Sequence, residues 1–297
     1  MTVCILLIGA GGQVGCELRR TLAPLGKVVA ASRAGEFGPR VDLARPGDLT
    51  RLLDLARPDV VVNAAAYTAV DRAEREAALA ERVNSEAVAE LAALAAERGT
   101  PVVHYSTDFV FSGQLDRPYT EDDAPAPLSV YGRTKLAGEQ ALLASGGPAI
   151  VFRTSWVYGL RGANFLCTML RLFRSGQPVR VVDDQVGAPT WSRMLAEVTA
   201  LVLYRVLRGE CDLGKVGGLY HVCGAGQVTW HGFATAICEE AGLSADIAAI
   251  ATAEYPTPAQ RPHYSVLDTR RLWGTFGLEL PHWRDSLRQC LEDFTKS

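Results

Sequence analysis

The sequence predicts an α/β fold in which a doubly wound parallel sheet is followed by a smaller C-terminal α/β domain that binds substrate. Three observations predict it: short apolar runs of strand length, helical segments between them, and a glycine-rich turn after the first run. Strands of a parallel sheet are buried on both faces, so they read as continuous apolar runs. At 297 residues the chain is long enough for two domains. We predict a dinucleotide-binding domain over 1–155 and a substrate-binding region over 156–297, with residues near 191–217 packing back on the first domain.

The first apolar run, residues 3–8, leads directly into a glycine turn and then into a helical pattern over 16–25. Gly9, Gly12 and Gly15 follow a G-x-x-G-x-x-G spacing, and the order strand, glycine turn, helix is the context in which such a motif binds a dinucleotide. Gly9 permits the tight turn, Gly12 lets a pyrophosphate approach the helix N-terminus, and Gly15 lets the helix pack on the sheet. The pattern predicts a Rossmann-type cofactor site, to which Gln13 and Val14 also belong.

The second apolar run, residues 27–31, ends at the position that faces the adenosine ribose in dinucleotide folds. Arg33 follows it, and no acidic residue stands there. An arginine pairs with a 2′-phosphate, so we expect NADPH as the cofactor, with NADH possible; the alternative is a solvated loop arginine. Asp42 and Leu43 are predicted to follow a third short strand and to contact the adenine.

Two further strands are predicted over 59–63 and 101–105, with a helix over 76–98 between them. The small residues Ala64, Ala65 and Ala66 follow the first of these strands, and Ser106-Thr107-Asp108 follows the second. Ligands collect outside the carboxyl ends of parallel strands. We therefore expect the glycine turn, the alanines and Thr107 to meet at one crevice. Residues 111–127 read as a long loop.

Tyr131 and Lys135 lie one turn apart on the same face of the next predicted helix. A phenol has an unperturbed pKa of about 10, and a nearby ammonium favours the phenolate. Such a pair can exchange a proton where an isolated tyrosine could not. The spacing alone is weak, because both residue types are common on solvated helix faces. A further strand is predicted over 149–153.

The second half has shorter elements, with helices predicted over 164–174, 191–208, 229–241 and 283–294 and strands over 179–182 and 219–222. Trp156 and Trp191 are candidate platforms for a sugar or a base, since aromatic faces stack on both; the alternative is packing in the core. The remaining tryptophans and the five histidines are assigned to packing or solvent.

Composition excludes several function classes. The chain is 48% hydrophobic and 21% charged with a formal net charge of −3, and it has no basic block, so a nucleic-acid partner is not expected. No apolar run reaches membrane-spanning length, and no cleavable leader is recognised. Seven scattered cysteines form no Cys-x-x-Cys pair, and the histidines show no ligand spacing. We expect a cytoplasmic protein without a metal.

Several ordered motifs resemble the dTDP-4-dehydrorhamnose reductase family, a branch of the extended short-chain dehydrogenase/reductases. They extend through essentially the whole chain: G9-x-x-G-Q-V-G15, V62-N-A-A-A-Y67, Asn84, Y105-S-T-D-F-V-F111, Y131-G-R-T-K135, R153-T-S-W-V-Y158, D184-Q-x-G-x-P-T190 and R261-P-x-x-S265. The resemblance implies that NADPH delivers a hydride to C4 of a 4-keto nucleotide sugar. It implies that Thr107, Tyr131 and Lys135 are catalytic and that Lys135 also holds the nicotinamide ribose. Substrate contacts would come from Thr107, Asp108, Phe109, Trp156, Gln185 and Arg261.

Phe109 separates this chain from the related 4,6-dehydratases, which carry a glutamate at that place to remove a proton. A phenylalanine cannot be that base. Two alternatives stay open: reduction of a different nucleotide 4-keto-6-deoxy sugar, since Tyr264 stands where the family often has asparagine, and a non-catalytic regulatory subunit similar to the β-subunit of methionine adenosyltransferase. Some relatives dimerise around Mg²⁺; Glu17 matches one ligand, but Arg193 stands at the other. We predict a monomer or weak homodimer without a bridging metal.

Overall fold

The structure, a computed structural model, describes residues 2–295. Its centre is a six-stranded parallel sheet in the order β10-β5-β4-β3-β1-β2. The strands are β1 (Cys4–Ile8), β2 (Lys27–Ala31), β3 (Val60–Asn63), β4 (Val102–Thr107), β5 (Ala149–Thr154), β6 (Val157–Tyr158), β7 (Val179–Val182), β8 (Val186–Gly187), β9 (Thr190–Trp191), β10 (Gly218–His221), β11 (Val228–Thr229) and β12 (Ile247–Ile250). The predicted doubly wound parallel sheet is confirmed.

Some of the helices cover the two faces of this sheet, and others pack in the second half of the chain. The helices are α1 (Gln13–Thr21), α2 (Asp48–Ala56), α3 (Val70–Ala73), α4 (Ala77–Glu81), α5 (Ala87–Arg98), α6 (Val130–Ala144), α7 (Phe165–Arg174), α8 (Ser192–Leu207), α9 (Leu213–Val216), α10 (Trp230–Glu240), α11 (Arg270–Phe276) and α12 (Trp283–Thr295). Apolar side chains of α1, α8 and α11 fill one side of the sheet, and those of α2, α5 and α6 fill the other. A third core lies between α7, α10, α12 and the β7–β12 pair. Across residues 2–295, no helix combines the length and apolar character needed to span a membrane.

Helix α8 belongs to the second half of the chain but packs on the first. The Thr21 hydroxyl donates to Ala196 O at 3.1 Å, and the hydroxyls of Tyr105 and Thr199 lie 2.7 Å apart. Leu195 and Leu203 are fully buried beside α1. The division of the chain at residue 155 stays a prediction.

Two local expectations were wrong. No third strand precedes Asp42: the chain makes only an isolated bridge between Ser32 and Arg40 there, and β3 comes after α2. The helix predicted over 76–98 is not continuous, because a π-helical turn, Arg82–Glu86, separates α4 from α5. Turns of this kind are frequent at functional sites.

The π-helical turn has a physical cause in Asn84. Its amide accepts from Tyr67 N at 2.8 Å and donates to Tyr67 O at 3.0 Å and to Thr134 Oγ1 at 3.2 Å. The backbone carbonyl oxygen of Asn84 would lie 2.0 Å from a Cβ added at Gly138 of α6. The turn therefore fixes both the segment after β3 and the position of α6.

Candidate active site

The glycine turn connects β1 to α1 at the carboxyl edge of the sheet. Gly9 has φ +87°, and a Cβ there would lie 2.6 Å from Ala65 N. A Cβ on Gly15 would lie 2.0 Å from Gly9 O. Gly12 precedes α1 and provides no side-chain cap, so N–H groups of the first turn face outward as an anion site. The close approaches at Gly9 and Gly15 can be made only by glycine, as the cofactor motif requires.

Gly15→Ala is expected to lower the free energy of unfolding by about 1–3 kcal/mol, because the added methyl group overlaps a backbone oxygen. It should also weaken dinucleotide binding by about tenfold or more, since the turn must open. Gly274→Ala is the matched control: this glycine is also helical, but nothing lies within 4 Å of an added Cβ. The control should be neutral or slightly stabilising. Thermal unfolding and fluorescence titration with NADPH measure both; equal effects of the two variants would contradict the prediction.

The predicted neighbours of the turn lie around it. Gln13 begins α1, and its Oε1 accepts from Asn164 Nδ2 at 2.8 Å. Val14 packs half-buried against the core of the sheet. Ala64, Ala65 and Ala66 run half-buried from the end of β3, where Ala64 N donates to Ile8 O at 2.9 Å. Ala64 and Ala65 lie against Gly9, since a Cβ added there would be 2.7 Å from Ala64 C and 2.6 Å from Ala65 N.

The residues predicted to contact the adenosine part of the cofactor differ in their surroundings. Arg33 is exposed after β2. Asp42 Oδ1 accepts from Ala44 N at 3.1 Å, and Leu43 is buried in the core, so both have local structural partners. Sequence reasoning missed Glu36: its carboxylate accepts from Ser32 Oγ at 2.6 Å and would lie 2.6 Å from a Cβ on Gly11. An acidic group therefore stands beside the glycine turn, supplied by the loop rather than by the strand end.

Thr107, Tyr131 and Lys135 converge at the carboxyl end of β4. Ser129 caps α6 by accepting from Gly132 N at 3.2 Å, and a Cβ on Gly132 would lie 2.2 Å from Phe109 O. The glycine between the two catalytic candidates thus lets α6 approach the turn after Thr107. The Tyr131 ring meets Phe109 edge-on, with centroids 5.7 Å apart.

Burial dominates the electrostatics of these groups. It raises the pKa of Tyr131 to about 12, against a hydrogen bond from Thr107 that lowers it. Burial lowers the pKa of Lys135 to about 8, while Glu139 opposes this. The sequence had suggested that the ammonium lowers the pKa of the phenol. In the structure, burial outweighs any such effect on the pKa of Tyr131, and Lys135 Nζ contacts Tyr105 O at 2.5 Å and His104 Nε2 at 3.2 Å.

Asp108 is almost fully buried beside Thr107, whose hydroxyl donates to Asp108 Oδ1 at 3.1 Å. Burial raises the pKa of Asp108 to about 6, and Ser265 and Thr107 oppose the shift by hydrogen bonding. Ser265 comes from the second half of the chain. The end of β4 and the substrate-binding region therefore share this carboxyl group.

A cavity of about 310 Å³ lies next to this site. Four of the predicted substrate residues line it: Phe109, Trp156, Gln185 and Arg261. Trp230, which was assigned to packing or solvent, also lines it and stacks on Trp156 with centroids 3.4 Å apart. Trp191 is 95% buried in the core and has a packing role. A mainly apolar cavity with a few polar groups is typical of a small-molecule site.

Gln185 and Arg261 have partners that sequence spacing could not reveal. Gln185 is buried and donates to Thr252 Oγ1 at 3.0 Å. Arg261 forms a two-pronged ion pair with Asp71, at 2.8 and 3.1 Å, and also donates to Ala259 O. Asp71 lies in the first turn of α3, in the first half of the chain, so this pair joins the two halves across the cavity.

The residues considered for a bridging metal interact within one chain. Arg193 Nε donates to Glu17 Oε2 at 3.3 Å. Among residues 2–295, no cluster of three or more histidine, cysteine, aspartate or glutamate side chains could hold a metal ion.

Known proteins are similar to this chain over nearly its full length. The profile of the RmlD substrate binding domain matches residues 1–296. The dTDP-4-dehydrorhamnose reductase of Burkholderia thailandensis is 48% identical to it over 97% of this chain and 98% of its own. The chain belongs to the dTDP-4-dehydrorhamnose reductase family.

Solved structures of the family have the same fold. The reductase of Clostridium acetobutylicum is 34% identical, with a TM-score of 0.88 over 98% of this chain and 99% of its own. That of Bacillus anthracis, solved in complex with NADP, is 30% identical with a TM-score of 0.88 over 99% of this chain and all of its own. The resemblance to the dTDP-4-dehydrorhamnose reductase family drawn from the motifs is confirmed.

Proposed function

We propose that this chain reduces the C4 keto group of dTDP-4-dehydro-L-rhamnose to give dTDP-L-rhamnose, a precursor of cell-surface polysaccharide, with NADPH as the reductant and NADH accepted. The observation that carries the proposal is the convergence of Thr107, Tyr131 and Lys135 at the carboxyl end of β4, where Phe109 contacts the Tyr131 ring and lines the apolar cavity. Family membership over nearly the full chain supports the substrate.

The glycine turn fits a dinucleotide, because Gly9 and Gly15 allow the tight turn and the close packing of α1, and the first turn of α1 has no side-chain cap to compete with a phosphate. Bound NADPH supplies the hydride. Tyr131 then donates its phenolic proton to the carbonyl oxygen on which negative charge develops, and the Thr107 hydroxyl hydrogen-bonds the same oxygen. Lys135 would stabilise the phenolate that forms and, with the cofactor bound, would hold the nicotinamide ribose. Phe109, Trp156 and Gln185 would surround the sugar, while Arg261 would bind the diphosphate through its planar guanidinium.

Oxidation of NADPH at 340 nm on addition of dTDP-4-dehydro-L-rhamnose tests the proposal. We expect turnover with this substrate and formation of dTDP-L-rhamnose. Turnover only with another nucleotide 4-keto-6-deoxy sugar would favour the first alternative, and tight NADPH binding without any turnover would favour a regulatory subunit.

The choice between the two cofactors should depend on Glu36 and Arg33. The Ser32 hydroxyl lowers the pKa of Glu36, so the side chain is charged near neutral pH and repels a 2′-phosphate. Glu36→Gln is therefore expected to raise the ratio of kcat/KM for NADPH to that for NADH by about three- to tenfold. Arg33→Gln should lower the same ratio. Initial rates with each cofactor measure it, and an unchanged ratio in both variants would contradict a role for this loop.

We further propose a cytoplasmic location and a monomer or weak homodimer acting on a small-molecule substrate. The scattered cysteines support a reducing compartment. The Glu17–Arg193 ion pair supports the absence of a metal bridge, because the guanidinium already neutralises the carboxylate.

A further inference from the structure

Lys135 is held inside the protein by two groups of β4. Its Nζ lies 2.5 Å from Tyr105 O and 3.2 Å from His104 Nε2. Lys135 is 2% exposed and His104 is fully buried. Water is excluded from this contact, so the proton on His104 Nε2 decides whether Lys135 can be an amine or an ammonium. An amine can accept a hydrogen bond from a protonated Nε2, whereas an ammonium can only donate to an unprotonated one.

Asn63 fixes the other side of the His104 ring. The two residues are register neighbours on β3 and β4, and Asn63 Nδ2 lies 3.2 Å from His104 Nδ1. The Asn63 amide is oriented by Ala65 N, which donates to its Oδ1 at 3.2 Å. Because Nδ2 only donates, Nδ1 must accept, and the single proton of the neutral ring is then on Nε2.

These contacts conflict when Lys135 is charged. A ring protonated at Nε2 donates to a neutral amine, which can still donate to Tyr105 O. An ammonium instead needs an unprotonated Nε2, and the ring proton must then move to Nδ1, where it meets the donor Nδ2 of Asn63. Whenever Lys135 is protonated, the His104 ring therefore loses its hydrogen bond with either Asn63 or Lys135.

We propose that Asn63 and His104 are positioning residues that set, through the ring tautomer of His104, whether Lys135 is held as an amine or an ammonium. Since the ammonium stabilises the Tyr131 phenolate, activity is present while Lys135 is protonated and is lost as the pH rises through its pKa. Asn63, His104 and Lys135 thus form a hydrogen-bonded relay, and this relay sets the pH above which the reaction slows. This kinetic consequence rests on the proposed reduction; the tautomer itself does not.

The other charged or titratable groups near Lys135 are distributed over three elements. Glu139 lies one turn further along α6 and is ion-paired with Arg153 of β5. Tyr131 lies one turn earlier on α6, and Asp108 follows β4. Burial and the Lys135 charge hold the pKa of His104 well below its usual range, so the ring is neutral and has one proton to place.

The experiment follows the His104 tautomer by NMR in ¹⁵N-histidine-labelled protein from about pH 6 to about pH 10, with His104→Leu identifying the signal. In the unmodified protein, the proton is expected on Nδ1 at low pH and on Nε2 at high pH, with a midpoint equal to the upper pKa of kcat. In Asn63→Asp, the carboxylate accepts a hydrogen bond from His104 Nδ1, so the ring should stay protonated at Nδ1. The upper pKa in the pH profile of kcat should then rise by about one pH unit.

A double-variant comparison separates the relay from the added charge. In a His104→Leu background, Asn63→Asp is expected to move the upper pKa of kcat by much less, because no imidazole ring connects residue 63 to Lys135. An equal shift in both backgrounds, or a single His104 tautomer across the pH range in the unmodified protein, would overturn the proposal. The NMR result needs no turnover, so absence of reductase activity would reject the proposed function without deciding the relay.

Discussion

Tyr131→Phe is expected to lower kcat by about two to four orders of magnitude, the usual contribution of a positioned proton donor. The variant keeps the ring and its edge-on contact with Phe109 but removes the proton that the developing alkoxide needs. The dissociation constant for NADPH should change little, since the glycine turn is untouched. Steady-state kinetics and fluorescence titration measure the two quantities.

Tyr105→Phe is the matched control for this variant. Tyr105 is also a buried tyrosine, but its hydroxyl is 2.7 Å from Thr199 on α8, away from the cavity. Losing that hydrogen bond should cost about 1 kcal/mol of unfolding free energy and leave kcat near normal. Near-normal turnover in Tyr131→Phe, or an equal loss in Tyr105→Phe, would remove Tyr131 from the chemistry.

Glu139→Ala is expected to lower the free energy of unfolding by about 3–5 kcal/mol. Glu139 of α6 accepts from Arg153 Nε of β5 at 2.9 Å in a two-pronged pair, and each residue is only 2% exposed. Removing the carboxylate leaves a guanidinium buried without its counter-charge. The same pair links α6 to the sheet, so the variant should also loosen the placement of Lys135. Denaturant unfolding followed by circular dichroism measures the loss.

Two comparisons make this prediction specific. Glu139→Leu combined with Arg153→Met removes both charges and should recover most of the lost stability, because an apolar pair can replace a buried ion pair. Glu254→Ala breaks an ion pair with Arg180 of similar length, 2.8 Å, but both partners are more than half exposed, so its effect should stay below about 1 kcal/mol. A double variant no more stable than Glu139→Ala would show that the charge is not the cause.

Local sequence patterns predicted the strands of the sheet closely. The runs at 3–8, 59–63 and 149–153 are each within one residue of β1, β3 and β5 at either end, because burial on both faces leaves an uninterrupted apolar signature. Helix α2 was not predicted, and the π-helical turn was read as a regular helix. That turn depends on contacts of Asn84 with Tyr67 and Thr134, 17 and 50 residues away, which no local periodicity contains.

What the sequence by itself determined was the chemistry that is encoded over short distances: the glycine turn between a strand and a helix, and Tyr131 and Lys135 one helical turn apart. The tertiary structure alone decided which side chains meet across the sheet and the cleft. His104 reaches Lys135 across 31 residues, Asp71 reaches Arg261 across 190, and Trp230 covers Trp156. Such partners are chosen by packing and by the need to satisfy buried polar groups, and these forces act between segments that only the fold brings together.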